Sequence, residues 1–137
     1  MENSNGLTAS LLVAGHHAAR LLESHLSATD LSAGEAVLLT ALAPGPLTMS
    51  EVMSTLHIRA STATSMVSRL ERAEYVYRSS NPEDRRSRLV HLTLSGRRQL
   101  EAVGPAFRAV DSLLVSRAGV GAVAGYKRVL EALAESE

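Results

Sequence analysis

Apolar residues recur at steps of three and four along six stretches of this 137-residue chain, a spacing that predicts six amphipathic helices. The second and third predicted helices begin with capping boxes, formed by Ser32 with Glu35 and by Thr48 with Glu51. Pro105 falls inside the fifth, and a proline cannot donate to the carbonyl four residues earlier, so we expect a kink or a break there. The predicted helices cover residues 7–27, 32–43, 48–56, 61–73, 93–116 and 122–135.

Two stretches rich in β-branched, aromatic and leucine residues, 75–78 and 88–92, interrupt the helical pattern and are typical of strands. The polar segment 79–87 between them contains an Asn-Pro pair, which indicates a tight turn. The two strands and their turn therefore predict a hairpin. At or just beyond its tip lie Arg85, Arg86 and Arg88.

The order of these elements predicts the fold class. Two short helices, 48–56 and 61–73, are joined by a turn at His57-Ile58 and followed by the hairpin. This is the order of the winged helix-turn-helix, which holds one helix in the major groove of DNA. We therefore expect a single domain that is mainly α with a small two-stranded β-wing.

The outer face of the helix at 61–73 carries an unusual number of small hydroxyl side chains. Ser and Thr have a low helix propensity, and an ordinary solvent-exposed helix face more often carries Glu and Lys. We interpret the face as one that fits inside a groove and exchanges hydrogen bonds there. Its members are Ser61, Thr62, Thr64, Ser65, Ser68, Arg69 and Arg72.

The formal net charge is zero, but the charges are segregated along the chain. Residues 57–98 contain nine basic and four acidic side chains, which leaves five basic and ten acidic side chains elsewhere. The middle of the chain can therefore attract phosphate although the whole molecule is neutral. An arginine at the hairpin tip can enter a narrow minor groove, and Asp84 beside Arg85 and Arg86 would fix such a side chain by hydrogen bonding.

Several function classes are excluded by what the sequence lacks. It has no Cys, which excludes disulfides, thiolate metal sites and cysteine-based redox sensing. It has no phosphate-cradling glycine loop and no nucleophile elbow, so we expect no enzyme activity. Glu2 stands where a signal peptide needs positive charge, and no stretch is long and apolar enough for a membrane span. We therefore expect a cytoplasmic protein.

The chain resembles the MarR family of bacterial transcriptional regulators over essentially its whole length. The most specific part is the wing signature, in which Asp84-Arg85-Arg86 is followed by Leu92-Thr93 and then by Gly96. The helix-turn-helix alone would be shared with many regulators. The other matching residues are Thr48, Ser50-Glu51, Ser61-Thr62, Arg69-Leu70-Glu71 and Arg78.

The resemblance implies a homodimer that binds double-stranded DNA at a pseudo-palindromic operator, and we expect a repressor. Residues 7–27 and 94–137 would supply the dimerisation helices, and residues 32–93 the DNA-binding lobe. Two-fold symmetry would place the two half-sites roughly 34–36 Å apart. By the match, the DNA-contacting residues would be Arg59, Ser61, Thr62, Thr64, Ser65, Arg69, Asp84, Arg85, Arg86 and Arg88.

Four positions depart from the family pattern, and the first is Met53, where a small residue, usually Ala, is expected. His57 occupies a turn position where Gly is common. Arg59 replaces a hydroxyl residue that often caps the recognition helix, so we expect Ser61 or Thr62 to cap it one turn later. Glu74 stands where Gly normally closes that helix in the left-handed conformation, which costs about 1 kcal/mol for a residue with a Cβ.

Many members of the family bind small aromatic acids in a crevice between the dimer helices and the DNA-binding lobe. By analogy we expect a small aromatic or anionic effector that relieves repression. The polar side chains that could contact it are His16, His17 and Arg20. The sparse aromatics, 3% of residues, argue against a stacking cage.

Two alternatives stay open. Some relatives sense zinc, and His17, Glu23 or His25 could contribute ligands here, but no His lies four positions from another ligand. We therefore expect no metal and no cofactor. The other alternative is a winged-helix module that binds only protein, with its basic face on an acidic partner. Preference for a two-fold symmetric duplex over a random duplex of equal length would separate that module from a DNA-binding regulator.

Overall fold

A computed structural model of the chain describes residues 6–136, so Glu2, which counts against a signal peptide, lies outside the described residues. Six helices and three short strands follow one another along the chain, and the prediction of six helices with a small β-wing is confirmed. The elements are α1 Gly6–Ser24, α2 Ala33–Leu42, β1 Leu47–Thr48, α3 Met49–Leu56, α4 Ala60–Arg72, β2 Val76–Ser80, β3 Arg88–Leu92, α5 Leu94–Ala118 and α6 Val120–Glu135.

Both predicted capping boxes are present. The Ser32 hydroxyl accepts from the Glu35 amide, and the Glu35 carboxylate accepts from the Ser32 amide at 2.9 Å. Thr48 and Glu51 make the same pair of bonds at the start of α3. The expected cap of α4 is wrong: the helix begins at Ala60, Arg59 is its N-cap residue, and no side chain caps it. Ser61 is the second residue of the helix, two positions past the N-cap, so its side chain does not cap the first free amides.

The sheet has three strands rather than the two predicted. β2 and β3 form the hairpin, and β1 pairs antiparallel with the other edge of β3, with Leu47 opposite Val90 and Thr48 opposite Leu89. A strand of two residues is too short to show an alternating pattern. The pairing of β1 holds the start of α3 against the hairpin.

The core lies where α2, α3, α4, β3 and α5 meet. Leu38, Leu39, Val52, Val67 and Val90 are fully buried and belong to one hydrophobic cluster. Ile58, in the turn between α3 and α4, is partly buried and packs against this cluster. The helix-turn-helix is therefore fixed to the rest of the molecule by apolar packing.

α5 continues through Pro105 for 25 residues, so the helix is not broken there. Pro105 and Glu101 are both exposed. The Glu101 carbonyl, which loses its helical partner at Pro105, can therefore be solvated, and this lowers the penalty of an interior proline.

Two residues with side chains adopt the left-handed conformation, His57 with φ of 52° and Glu74 with φ of 65°. His57 ends α3, and its amide donates to the carbonyl of Met53. The prediction that Glu74 follows α4 in this conformation is confirmed. Both turns therefore carry a steric cost that Gly would avoid.

Among residues 6–136, no helix is both long and apolar enough to cross a membrane.

Candidate nucleic-acid interface

The recognition helix α4 separates its residues sharply into two faces. Ala63, Val67 and Leu70 are fully buried and recur at steps of four and three. The side chains between them point outward, because 3.6 residues complete one turn. The exposed residues of the first two turns are Ser61, Thr62, Thr64 and Ser65.

Arg69, expected to face the groove, is partly buried and bonds to residues at and just before the start of α2. Its Nη2 donates to Glu35 Oε1 at 2.8 Å and to the carbonyl oxygen of Asp30 at 2.8 Å, and its Nε donates to Glu35 Oε2. Asp30 also accepts from the Tyr75 hydroxyl through Oδ1 at 2.9 Å. The Arg69 guanidinium is thus a bridge between α4 and the start of α2, and its contact with DNA stays a prediction.

The charges of this bridge stabilise each other. Glu35 is only 5% exposed. Burial raises the pKa of Glu35, but hydrogen bonds from Arg69 and Ser32 and the positive charge of Arg69 outweigh it and leave the pKa below its ordinary value. The hydrogen bond to Glu35 in turn raises the pKa of Arg69. Both groups therefore stay ionised and fix α4 relative to α2.

A second ion pair fixes the recognition helix to the wing. Arg78 in β2 donates through Nη2 to Glu71 Oε1 at 2.8 Å and to Ser68 Oγ at 3.3 Å. The hydrogen bond from Arg78 lowers the pKa of Glu71. Arg78 and Ser68 thus couple the last turns of α4 to the hairpin, and Ser68 does not belong to the free outer face.

The wing presents its arginines on an exposed tip. Arg86 is the most open of the paired side chains, with 93% of its surface exposed, and Asp84 Oδ1 accepts from its backbone amide at 3.0 Å and from its Nε at 3.4 Å. Arg85 is also exposed, and Arg88 donates through Nε to the carbonyl of Ser79 at 3.2 Å. The hydrogen-bonded partner that Asp84 was expected to supply is therefore present, and it orients Arg86.

Other contacts around the interface have no local signal in the sequence. The rings of Tyr77 and His91 stack with centroids 4.5 Å apart, and His91 Nε2 is 2.8 Å from Ser79 Oγ. Asp30 lies 39 positions before Arg69. The contact between the two rings could be predicted only from the pairing of β2 with β3, which places Tyr77 opposite His91.

The residues expected to line an effector crevice are placed differently. A cavity of about 380 Å³ lies between α1, α2 and α5, and it is lined by residues that include Gly15, Ala18, Gly34, Val37, Phe107 and Asp111. His16 and Arg20 do not line it, and His17 lines a smaller apolar pocket nearby, beside Leu21 and Val110. The polar contacts proposed from sequence are therefore not brought together at this cavity.

Glu23, considered as a zinc ligand, has a hydrogen-bond partner within the protein. The Glu23 carboxylate accepts from the Ala33 amide at 2.8 Å, at the start of α2. Within residues 6–136, no group of three or more His, Asp or Glu side chains is arranged to hold a metal ion.

Comparison with solved structures shows where this fold occurs. A cysteine-to-serine mutant of MarR from E. coli, complexed with operator DNA, is 25% identical with a TM-score of 0.83, over 93% of this chain and 92% of that chain. A probable transcriptional regulator from Pseudomonas aeruginosa is 23% identical with a TM-score of 0.81, over 94% and 97%. BpsR from Bordetella bronchiseptica, whose DNA binding is regulated by 6-hydroxynicotinic acid, is 21% identical with a TM-score of 0.86, over 100% and 99%.

No curated protein sequence matches the chain. A sequence model of the MarR family matches residues 31–87, which run from the start of α2 to the tip of the wing. The winged-helix part of the molecule therefore carries the family signature, and the fold similarity extends over nearly the whole chain. The chain is thus similar to MarR-type transcriptional regulators, in sequence over its winged-helix part and in fold over nearly its whole length.

Proposed function

We propose that the protein is a homodimeric repressor that binds a pseudo-palindromic operator and releases it when a small molecule binds. The observation that carries this proposal is the outer face of α4, where four exposed hydroxyl residues lie opposite a fully buried apolar stripe. Hydroxyl groups donate to and accept from base edges and phosphates, and short side chains let a helix approach the groove closely.

The proposed DNA contacts divide between the helix and the wing. Arg59 is exposed at the N-cap of α4 and would contact phosphate beside the hydroxyl residues of the first two turns, which are Ser61, Thr62, Thr64 and Ser65. Arg86, oriented by Asp84, would enter the minor groove or contact the backbone, with Arg85 and Arg88 beside it.

Dimerisation is proposed from the terminal helices, residues 7–27 and 94–137. These helices expose large apolar side chains that the rest of the chain leaves uncovered, and contiguous exposed apolar surface marks an interaction site. The exposed residues include Leu12, Val13, Leu114, Val120, Tyr126 and Leu133. A second copy would bury them and would set the two recognition helices roughly 34–36 Å apart, one turn of DNA.

Release by a small molecule follows from the position of the cavity. Its walls come from α1 and α5, which belong to the proposed dimerisation region, and from α2, which belongs to the DNA-binding lobe. A ligand there can shift the population between two spacings of the recognition helices only by its difference in affinity for them. The regulation of BpsR by 6-hydroxynicotinic acid is a precedent for such an effector.

The test is selection of bound fragments from the source genome, followed by binding of the selected site to the purified protein. We expect a two-fold symmetric site that binds at least a hundredfold more tightly than a random duplex of equal length at the same salt concentration. Sedimentation should give the mass of a dimer. A monomer, or equal affinity for all duplexes, would contradict the proposal, and binding only to an acidic protein would favour a protein-interaction module.

A further inference from the structure

Tyr75, in the short connection between α4 and β2, bonds to three different parts of the chain. Its backbone amide donates to the carbonyl of Leu70 in α4 at 2.9 Å, and its backbone carbonyl accepts from the amide of Thr93, the N-cap residue of α5, at 3.0 Å. Its hydroxyl donates at 2.9 Å to Oδ1 of Asp30, in the loop between α1 and α2. Tyr75 is therefore in direct contact with the recognition helix, with the start of α5 and with the loop that follows α1.

The loop between α1 and α2 is anchored on both sides of Asp30. Leu26 and Leu31 are buried in the hydrophobic core. The Thr29 hydroxyl donates to the carbonyl of Leu26 at 2.7 Å and accepts from the Leu31 amide at 3.2 Å. The Glu23 carboxylate, in the last turn of α1, also accepts from an amide at the start of α2 at 2.8 Å. A side chain that bonds to this loop is therefore fixed relative to α1.

Two side chains, one in the last turn of α4 and one just beyond it, reach Asp30. Arg69 donates to the Asp30 carbonyl at 2.8 Å, and Tyr75 donates to the Asp30 carboxylate, whose other oxygen lies 3.7 Å from Arg69 Nη1. Hydrogen bonds to a charged group are stronger than those between neutral groups. Burial and the bond to Asp30 raise the pKa of the Tyr75 hydroxyl, which therefore stays a donor at neutral pH. The end of α4 is thus connected to α1 through Asp30 and to α5 through Thr93.

We propose that Tyr75 and Asp30 are a positioning pair: their hydrogen bond sets the orientation of the recognition helix relative to α1 and α5, and with it the half-site spacing that a dimer accepts. This inference rests on the proposed function, in which α1 and α5 belong to the dimerisation region and α4 enters the major groove. Two recognition helices fit two half-sites only when each is held in a fixed orientation to the dimer axis. Neither side chain needs to touch DNA, because both act through α4.

The test compares the operator obtained by genomic selection with a duplex in which one base pair, about 3.4 Å, is inserted between the half-sites. The parent protein should bind the inserted duplex more weakly, because binding must then distort the protein or the DNA. Tyr75→Phe, which removes only the hydroxyl, should reduce the ratio of the two affinities about five-fold, the effect of one partly exposed hydrogen bond to a charged group. A loss of stability alone would lower both affinities equally and leave their ratio unchanged.

Tyr77→Phe is the matched control, because it makes the same chemical change two positions along the chain. Within residues 6–136 the Tyr77 hydroxyl has no hydrogen-bond partner, and its ring stacks on His91 with or without it. This variant should keep the affinity ratio of the parent. Asp30→Ala should reduce the ratio as Tyr75→Phe does, and the double variant should be no worse than Asp30→Ala, because the two residues act through one contact. The proposal is overturned if Tyr75→Phe or Asp30→Ala keeps the parent ratio, or if Tyr77→Phe lowers it equally.

A distance measurement without DNA separates this proposal from the proposed function. The chain has no Cys, so Arg72→Cys on α4 and Arg117→Cys on α5, both at exposed positions, can carry spin labels specifically. Dilution into unlabelled protein isolates the distance within one chain. The distance distribution should broaden in Tyr75→Phe and stay unchanged in Tyr77→Phe. If it broadens while no duplex binds, the positioning pair holds and the repressor function fails. An unchanged distribution in Tyr75→Phe overturns the positioning pair, whether or not a duplex binds.

Discussion

Arg69 of α4 and Glu35 of α2 are 34 positions apart in the chain, and two nitrogens of the arginine donate to the two oxygens of the carboxylate. This two-point contact joins α4 to α2, one of the helices that line the cavity between α1, α2 and α5. Arg69 therefore positions α4, and its removal should mainly lower the free energy of unfolding.

Arg69→Ala should lower the free energy of unfolding by about 2 kcal/mol, because it leaves the Glu35 carboxylate buried without its partner. We expect less than for a fully buried pair, since 37% of the Arg69 side chain is exposed. Arg72→Ala, at an exposed position of the same helix, should change it by less than about 0.5 kcal/mol. Urea denaturation of both variants measures the difference. If the two variants are equally stable and only Arg69→Ala alters the preference for DNA sequence, then Arg69 acts mainly as a DNA contact in the groove.

The lowered pKa of Glu35 predicts the direction of acid destabilisation. The folded state binds the proton of Glu35 less readily than the unfolded state, where the pKa is close to 4.5. Its stabilising contribution is thus complete above the unfolded pKa and is lost as pH falls through the folded pKa. The free energy of unfolding should therefore fall below about pH 5, and the fall should be shallower in Glu35→Gln. The pKa of Glu71 is also lowered in the folded state, so Glu71→Gln should flatten the fall too, but by less, because its ion pair is far more exposed.

Gly96 at the start of α5 allows a close backbone contact. A Cβ built there would lie 2.1 Å from the carbonyl oxygen of Tyr75, which also accepts from the Thr93 amide at 3.0 Å. Gly96→Ala should therefore lower the free energy of unfolding by about 2–3 kcal/mol, as an overpacked site does. Gly121→Ala in α6 has open space around its Cβ and should leave stability unchanged or slightly raised. Thermal unfolding of the two variants gives the comparison, and equal midpoints would refute the steric argument.

Substitution of Glu74 by Gly should raise the free energy of unfolding instead of lowering it. Glu74→Gly should raise the free energy of unfolding by about 0.5 kcal/mol, because relief of the left-handed strain exceeds the added freedom of the unfolded chain. The backbone carbonyl of Glu74, which accepts from the Thr93 hydroxyl at 2.6 Å, is retained. Glu74→Ala keeps the strain and serves as the control. If Glu74→Ala stabilises the protein as much as Glu74→Gly does, the effect comes from the lost charge and not from relief of strain.

Arg86→Ala tests the wing. If Arg86 contacts one phosphate, its loss should weaken binding to all duplexes and should reduce the slope of log affinity against log salt by about 0.9. Arg117→Ala removes an exposed arginine near the end of α5, outside the proposed DNA-binding lobe, and should leave the slope unchanged. An unchanged slope in Arg86→Ala would remove this arginine from the DNA contact.

The parts of the fold that follow local rules could be predicted from the sequence. The capping boxes at Ser32 and Thr48 act within three residues, and the left-handed Glu74 follows from its place after a helix. The pairing of β1 could not be predicted, since a two-residue strand forms only because β3 is already there. The orientation of Arg69 could not be predicted either, because its partners are 34 and 39 positions away.

The cavity between α1, α2 and α5 could not be predicted from the sequence either. Helical periodicity predicts that α1, α2 and α5 each bury one face, but it does not predict which small residues of three helices meet. Polar residues on α1 were therefore natural candidates for ligand contacts. In the fold, Gly15 and Ala18 line the cavity and His16 does not, and the charged group comes from Asp111 on α5.

The first two turns of α4 expose only short side chains, and Arg69 in the third turn is bonded to Glu35. A helix without long side chains there can touch base edges only if its axis lies deep in the groove. The width of the major groove, which varies with base sequence, would then contribute to discrimination between sites even where no base is contacted.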